Sequence, residues 1–242
     1  MSVTSIAKRI VKVIEFVGYG QWSSFEAFSD FLEMSWAAWM GDEDAYMKAI
    51  ERYKDKPDVL EAFRQAYGLV YCELAFTDGF PDILGDVYME LRISNKTAGQ
   101  YFTPSSVAYM MAKMVGPTAD EGTEPILVCE PCVGSGVLLL ASMKTFWEEG
   151  PETFWRGQWY GMDLDRKCVL MASLQTSIAE WWHRPYGLEL RNQLAEGVVD
   201  SSQAMLGCQL IRGIIPQGIP ATDEMKEFAI MHLTNVVKVL YL

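Results

Sequence analysis

The sequence is short of positive charge. Twenty Lys and Arg stand against 32 Asp and Glu, a net charge of −12 over 242 residues. A chain that grips nucleic acid unaided presents a basic face, because neutralising phosphate drives the affinity. This chain has none, so DNA is expected to be held weakly or through a partner. The deficit is local: residues 1–20 carry +2, residues 21–100 carry −8, residues 101–165 carry −6, and the remainder balances. Long apolar runs are also missing, and with them any expected membrane span. Lys12 and Glu15 interrupt the first apolar stretch, against a signal peptide. The five Cys follow no framework spacing, and together with the lack of a leader this predicts a reducing, cytoplasmic setting. Cys129-Glu-Pro-Cys132 has no second Cys pair, and His183 and His232 stand alone, so no metal site is expected. Ser135 sits in no Gly-x-Ser-x-Gly elbow, which leaves hydrolase chemistry without support.

What is present is core-forming material. Half the residues are hydrophobic, a fifth are charged, and fourteen are Met, which suits a rich and deformable interior. The first 92 residues read as helices. Ile6, Ile10, Val13, Ile14 and Val17 recur at helical spacing. Ser24 is the expected cap of a second helix, Glu43–Tyr53 a third, Pro57 to about Ala75 a fourth, and Asp82–Leu91 an amphipathic fifth. From Pro125 short apolar runs alternate with helical patterns. Strands are expected at Ile126–Cys129, Gln158–Met162, Gly187–Leu190 and Cys208–Ile215, with helices at Val137–Trp147, Arg166–Trp182 and Asp223–Leu240. That alternation predicts an α/β fold with a parallel sheet. The expected organisation is a helical N-terminal domain over residues 1–98 and an α/β domain over 99–242. Trp181-Trp182-His183 reads as core or interface.

Glu130-Pro-Cys-Val-Gly-Ser-Gly136 lies where the first strand hands over to a helix. Glycine there lets backbone approach a ligand, and the helix N-terminus offers N–H groups. Such glycines also serve simply to pack strand against helix. Asp163, 27 residues after Gly136, stands at the end of the second strand, where an acid can accept from both hydroxyls of a ribose. Asp165 reads as a helix cap. Strand, glycine turn, helix, strand and acid together favour an adenosine-containing ligand.

Gly99-Gln-Tyr-Phe-Thr-Pro104, preceded by Asp82-Ile-Leu-Gly-Asp-Val-Tyr-Met-Glu-Leu91 and followed by the glycine turn about thirty residues later, resembles the N6-adenine DNA methyltransferases. The likeness is greatest to modification subunits of type I restriction–modification systems and their phage and plasmid relatives. It runs from about Asp82 to Asn192, in three ordered motifs. The resemblance implies a Rossmann-like, S-adenosylmethionine-dependent methyltransferase fold, truncated or degenerate, and S-adenosylmethionine as cofactor. By the same resemblance Thr103, flanked by Tyr101 and Phe102, would hold the methionine end. Glu130 stands where the family has Asp; Gly134 and Gly136 would give the cofactor room, and Asp163 would take the ribose. Asn192, in Arg191-Asn-Gln-Leu194, sits where relatives contact the adenine ring, though it fits a turn equally well.

One family feature is absent. The resemblance predicts an Asn or Asp followed by Pro-Pro and an aromatic, but the 242 residues contain no Pro-Pro pair. Adenine N6 is a poor nucleophile; acceptors must bind its N–H groups while an aromatic stacks on the flipped base. The expectation is therefore a cofactor-binding protein that transfers no methyl group by itself. Two alternatives stay open. One is an active methyltransferase, or the cofactor-binding half of one, completed by a second methyltransferase chain or restriction–modification subunit. The other is a non-catalytic protein that interferes with restriction–modification.

Overall fold

A computed structural model describes residues 3–18, 23–94, 101–117 and 122–195. The chain divides into two compact units, Met1–Ala179 and a second beginning at Glu180.

In the first unit, helix α1 (Val3–Gly18) buries the periodic residues Ile6, Ile10, Ile14 and Val17. It packs on α2 (Ser24–Met40), α4 (Pro57–Phe76) and α5 (Ile83–Ser94). Between α2 and α4 lie α3 (Glu43–Ile50) and a 3-10 turn, Glu51–Tyr53. The cap of α2 is Ser23, one residue before the expected Ser24. Its Oγ accepts from Glu26 N at 3.2 Å while Glu26 Oε2 accepts from Ser23 N at 2.9 Å, a reciprocal box that only Ser23 can form with an acid three residues on. Asp42 caps α3 and Pro57 opens α4. Phe28, Phe31, Tyr53 and Phe63 fill the interior, with Tyr53 edge-on to Phe63 at 5.3 Å. Burial and the bond it donates to Asp30 push the Tyr53 hydroxyl pKa up.

The α/β part follows the expected order. Strand β1 (Ile126–Glu130) leads into α7 (Val137–Glu149), then a short α8 (Pro151–Arg156) and β2 (Gly157–Gly161). The strands are parallel, with Ile126 opposite Gly157 and Glu130 opposite Gly161. On one face α7 covers the sheet, and Phe146 meets Trp159 edge-on at 4.9 Å. On the other face Leu127, Cys129 and Tyr160 are exposed, Leu127 by 68%. Helix α6 (Ser105–Val115), which the sequence reading passed over, lies on α7 through Ala108, Ala112, Val137 and Ala141. Helix α9 (Arg166–His183) spans the boundary between the units.

The described residues are thus mostly helical, with a two-stranded parallel sheet rather than a full doubly wound one. The strand expected at Gly187–Leu190 is a helix, α10 (Pro185–Ala195). Pro185 opens it in the position where a missing N–H costs nothing, and Leu188 N donates to Arg184 O at 3.0 Å. Strong helix formers over Leu188–Ala195 outweigh four residues of alternation. The strand expected at Cys208–Ile215 and the helix at Asp223–Leu240 lie outside the described residues. In the second unit Trp181, Trp182 and His183 are buried, the two indoles edge-to-face at 4.9 Å.

Candidate cofactor site

Past the sheet the two strand ends stay joined. Met162 N donates to Glu130 O at 3.0 Å and Val133 N to Met162 O at 2.8 Å, so the glycine turn and the Asp163 loop run side by side. Gly134 and Gly136 both take left-handed backbone, φ 55° and 98°. A side chain at Gly134 would come within 3.2 Å of the Phe102 ring, and one at Gly136 within 3.0 Å of Ala172 Cα. Gly136 is also the N-cap of α7, with no side chain to bond the N–H groups of the helix's first turn.

Asp163 sits two residues beyond β2 rather than on its last residue. Its Oδ2 accepts from Gly134 N at 2.9 Å and its Oδ1 from Asp165 N at 2.9 Å. Each carboxylate oxygen keeps a further lone pair, the capacity needed for two hydroxyls. Asp165 caps the start of α9, accepting from Lys167 N. Beside them Cys168 is buried, and burial with the charges of Asp163 and Asp165 pushes its thiol up to about 12, which leaves it unreactive.

Phe102 lies between Gly134 and Tyr88 of α5, its ring centroid 5.0 Å from that of Tyr88. Thr103 is half-buried next to it, and Tyr101 is 81% exposed. Glu130 bends back on its own turn, Oε1 accepting from Cys132 N at 3.0 Å. Phe102, Glu130, Gly134, Gly136 and Asp163 are therefore brought together around one turn. Asn192 is not placed after a strand: it is an exposed residue of α10, in the second unit. Gly99 and Gln100 lie outside the described residues.

Two features escaped the sequence reading. Asp82, Ser135 and Gln175 meet in a buried polar cluster behind the turn. A cavity of roughly 250 Å³ lies nearby, lined in part by Asp86, Ser105, Tyr109 and Lys144. Burial first, then the charges of Asp82 and Glu90, push the Asp86 carboxyl up to about 6. Asp82 begins a helix with Gly85 three residues on, the pattern of a capping acid; nothing in the sequence marks Gln175 as its partner.

Residues 80–196 match the family model for N-6 DNA methylase, a little under half of the chain. This segment is related to the N6-adenine DNA methyltransferases. The methylase-related segment holds the glycine turn, Phe102 and Asp163, and it runs from the loop before α5 to the end of α10. No curated protein and no solved structure matches the chain.

Proposed function

We propose that the chain binds S-adenosylmethionine at the turn Glu130–Gly136, with Asp163 accepting from the ribose hydroxyls and Phe102 and Thr103 bordering the methionine end. The observation that carries this reading is the bond from Gly134 N to Asp163 Oδ2, which joins two motifs 29 residues apart at one strand end. The residues fit such a group: positive φ at Gly134 and Gly136 and the approach of Phe102 and Ala172 keep the turn tight at the strand end, and the Asp163 carboxylate beside it has acceptor capacity to spare. The bound cofactor would supply an electrophilic methyl group; the chain's own residues orient it and hold the ribose.

Methyl transfer is a separate matter. With no Pro-Pro pair in the sequence, the acceptors that would hold adenine N6 are not recognisable, so the purified chain is proposed to bind the cofactor without methylating duplex DNA. The net charge of −12 favours a second reading alongside it, in which a partner chain supplies both the DNA surface and the adenine-binding segment. Calorimetric titration of the full chain with S-adenosylmethionine tests the first reading. Saturable one-site binding is expected, and Asp163→Ala should weaken it by about 1.5–3 kcal/mol, the typical worth of hydrogen bonds to a charged acceptor. No heat of binding by the parent chain would remove the cofactor reading.

A further inference from the structure

The turn that lines the proposed cofactor site is held from behind by residues far away in sequence. Ser135, between the two left-handed glycines, is fully buried and its side chain points into the fold. Its Oγ donates to Asp82 Oδ2 at 2.5 Å, and its carbonyl oxygen accepts from Gln175 Nε2 at 2.9 Å. The same Gln175 amide donates to Asp82 Oδ1 at 2.9 Å, while Gln175 Oε1 accepts from Leu84 N at 2.9 Å. Asp82 Oδ1 also accepts from Gly85 N at 3.0 Å, closing the first turn of α5. Gly85 must be glycine here, because a Cβ would overlap the Asp82 carboxylate. Asp82 is 5% exposed and Gln175 not at all.

This is a closed set. The Gln175 amide nitrogen has two donor bonds, its oxygen is used, and Asp82 receives three donors. Burial raises the Asp82 carboxyl's pKa, and the bonds from Ser135, Gln175 and Gly85 oppose that rise. A buried polar group is expensive unless satisfied, so each member depends on the others. The turn needs such an anchor: a backbone with two glycines in three residues has little intrinsic preference for one shape. A loop already in its binding conformation avoids the ordering cost at the moment of binding.

We propose that Asp82 and Gln175 are positioning residues which, through Ser135, hold the Gly134–Gly136 backbone in its cofactor-accepting form and so make cofactor affinity depend on α5 and α9. This rests on the reading of the turn as the S-adenosylmethionine site. It assigns no contact with the cofactor to either residue.

The test uses the full chain and two readouts. In calorimetry with S-adenosylmethionine, Ser135→Ala and Asp82→Ala are each expected to weaken binding about tenfold or more, since each strands a buried partner. The double variant should be no weaker than the worse single one, because the bond that Ser135→Ala removes is among the three that Asp82→Ala removes. Asp82→Asn can still accept from Gly85 and Gln175 and donate to Ser135 Oγ, and should recover most of the affinity that Asp82→Ala loses. The second readout needs no cofactor. By hydrogen exchange, peptides covering residues 130–137 should exchange faster in Ser135→Ala and in Gln175→Leu, while peptides from α2 keep the parent rate. Should Asp82→Ala fail to fold, Ser135→Ala carries both measurements. Unchanged exchange at 130–137 would overturn the positioning role whether or not the cofactor binds. Parent exchange behaviour as expected, with no cofactor binding, would instead overturn the cofactor reading and this proposal's link to affinity. Additive losses, or no rescue by Asn, would show that the residues do not act through one network.

Discussion

Gly136 combines a φ of 98° with a neighbour, Ala172 Cα, that a Cβ would approach to 3.0 Å. Gly136→Ala therefore meets both backbone strain and a backbone obstacle that cannot swing away. It is expected to destabilise the chain by about 1–3 kcal/mol, measured by denaturant unfolding. Gly41 also has a positive φ, 68°, but open space around it, so Gly41→Ala should cost less. Asp86 gives a pH-dependent case. Its folded pKa, about 6, lies above its ordinary value, so the folded state disfavours its charged form. That cost is absent below about pH 4 and grows as pH rises through 6. Asp86→Asn should accordingly stabilise the chain at pH 7 by roughly 1 kcal/mol, after allowing for partial solvent screening, and leave it unchanged near pH 4. Thermal melts at the two pH values check the sign.

At the scale of elements, capping decides where α2 starts, and Ser23→Ala should cost about 0.5–2 kcal/mol by removing the acceptor for Glu26 N. Those starts were largely legible in sequence: Asp42, Pro57 and the residues of the glycine turn announce α3, α4 and the β1–α7 junction through local chemistry. Position along the turn was legible too, because only glycine fits a φ of 98° without strain. What local chemistry does not encode is which face a helix buries. On α6 the apolar set Val107, Met110, Met111 and Met114 has helical spacing, yet all four are exposed and the buried residues are Ala108 and Ala112. Close approach to Val137 and Ala141 needs small side chains, which carry no hydrophobic signal. Ala112→Leu should then destabilise the chain by about 1–3 kcal/mol through overpacking, while Met110→Ser should be nearly neutral. Gly187–Leu190 misleads for the opposite reason: four alternating residues are too few to outweigh Pro185 and the helix formers that follow. The Asp82–Ser135–Gln175 cluster was invisible because its members are 53 and 40 residues apart and meet only through tertiary packing.

For the whole molecule, charge and the missing motif point the same way. Arg166, among the basic groups near the site, pairs with Glu33 of α2 through bonds of 2.6 and 2.8 Å, so its charge is already partly offset at the surface. The full chain should show no binding to a short duplex at micromolar concentration and 0.15 M salt. With the cofactor present it should transfer no labelled methyl group to unmethylated duplex DNA. Label incorporated by the chain alone, and lost in Asp163→Ala, would show that other residues supply the adenine-binding role. The proposed binding of S-adenosylmethionine at the glycine turn is independent of both outcomes. Ultraviolet cross-linking of methyl-tritiated S-adenosylmethionine to the full chain, followed by peptide mapping, tests it most directly. Label is expected in peptides spanning Tyr101–Pro104 and Glu130–Gly136, blocked by excess S-adenosylhomocysteine. Label that competitor does not block, or label confined to peptides outside these segments, would contradict it.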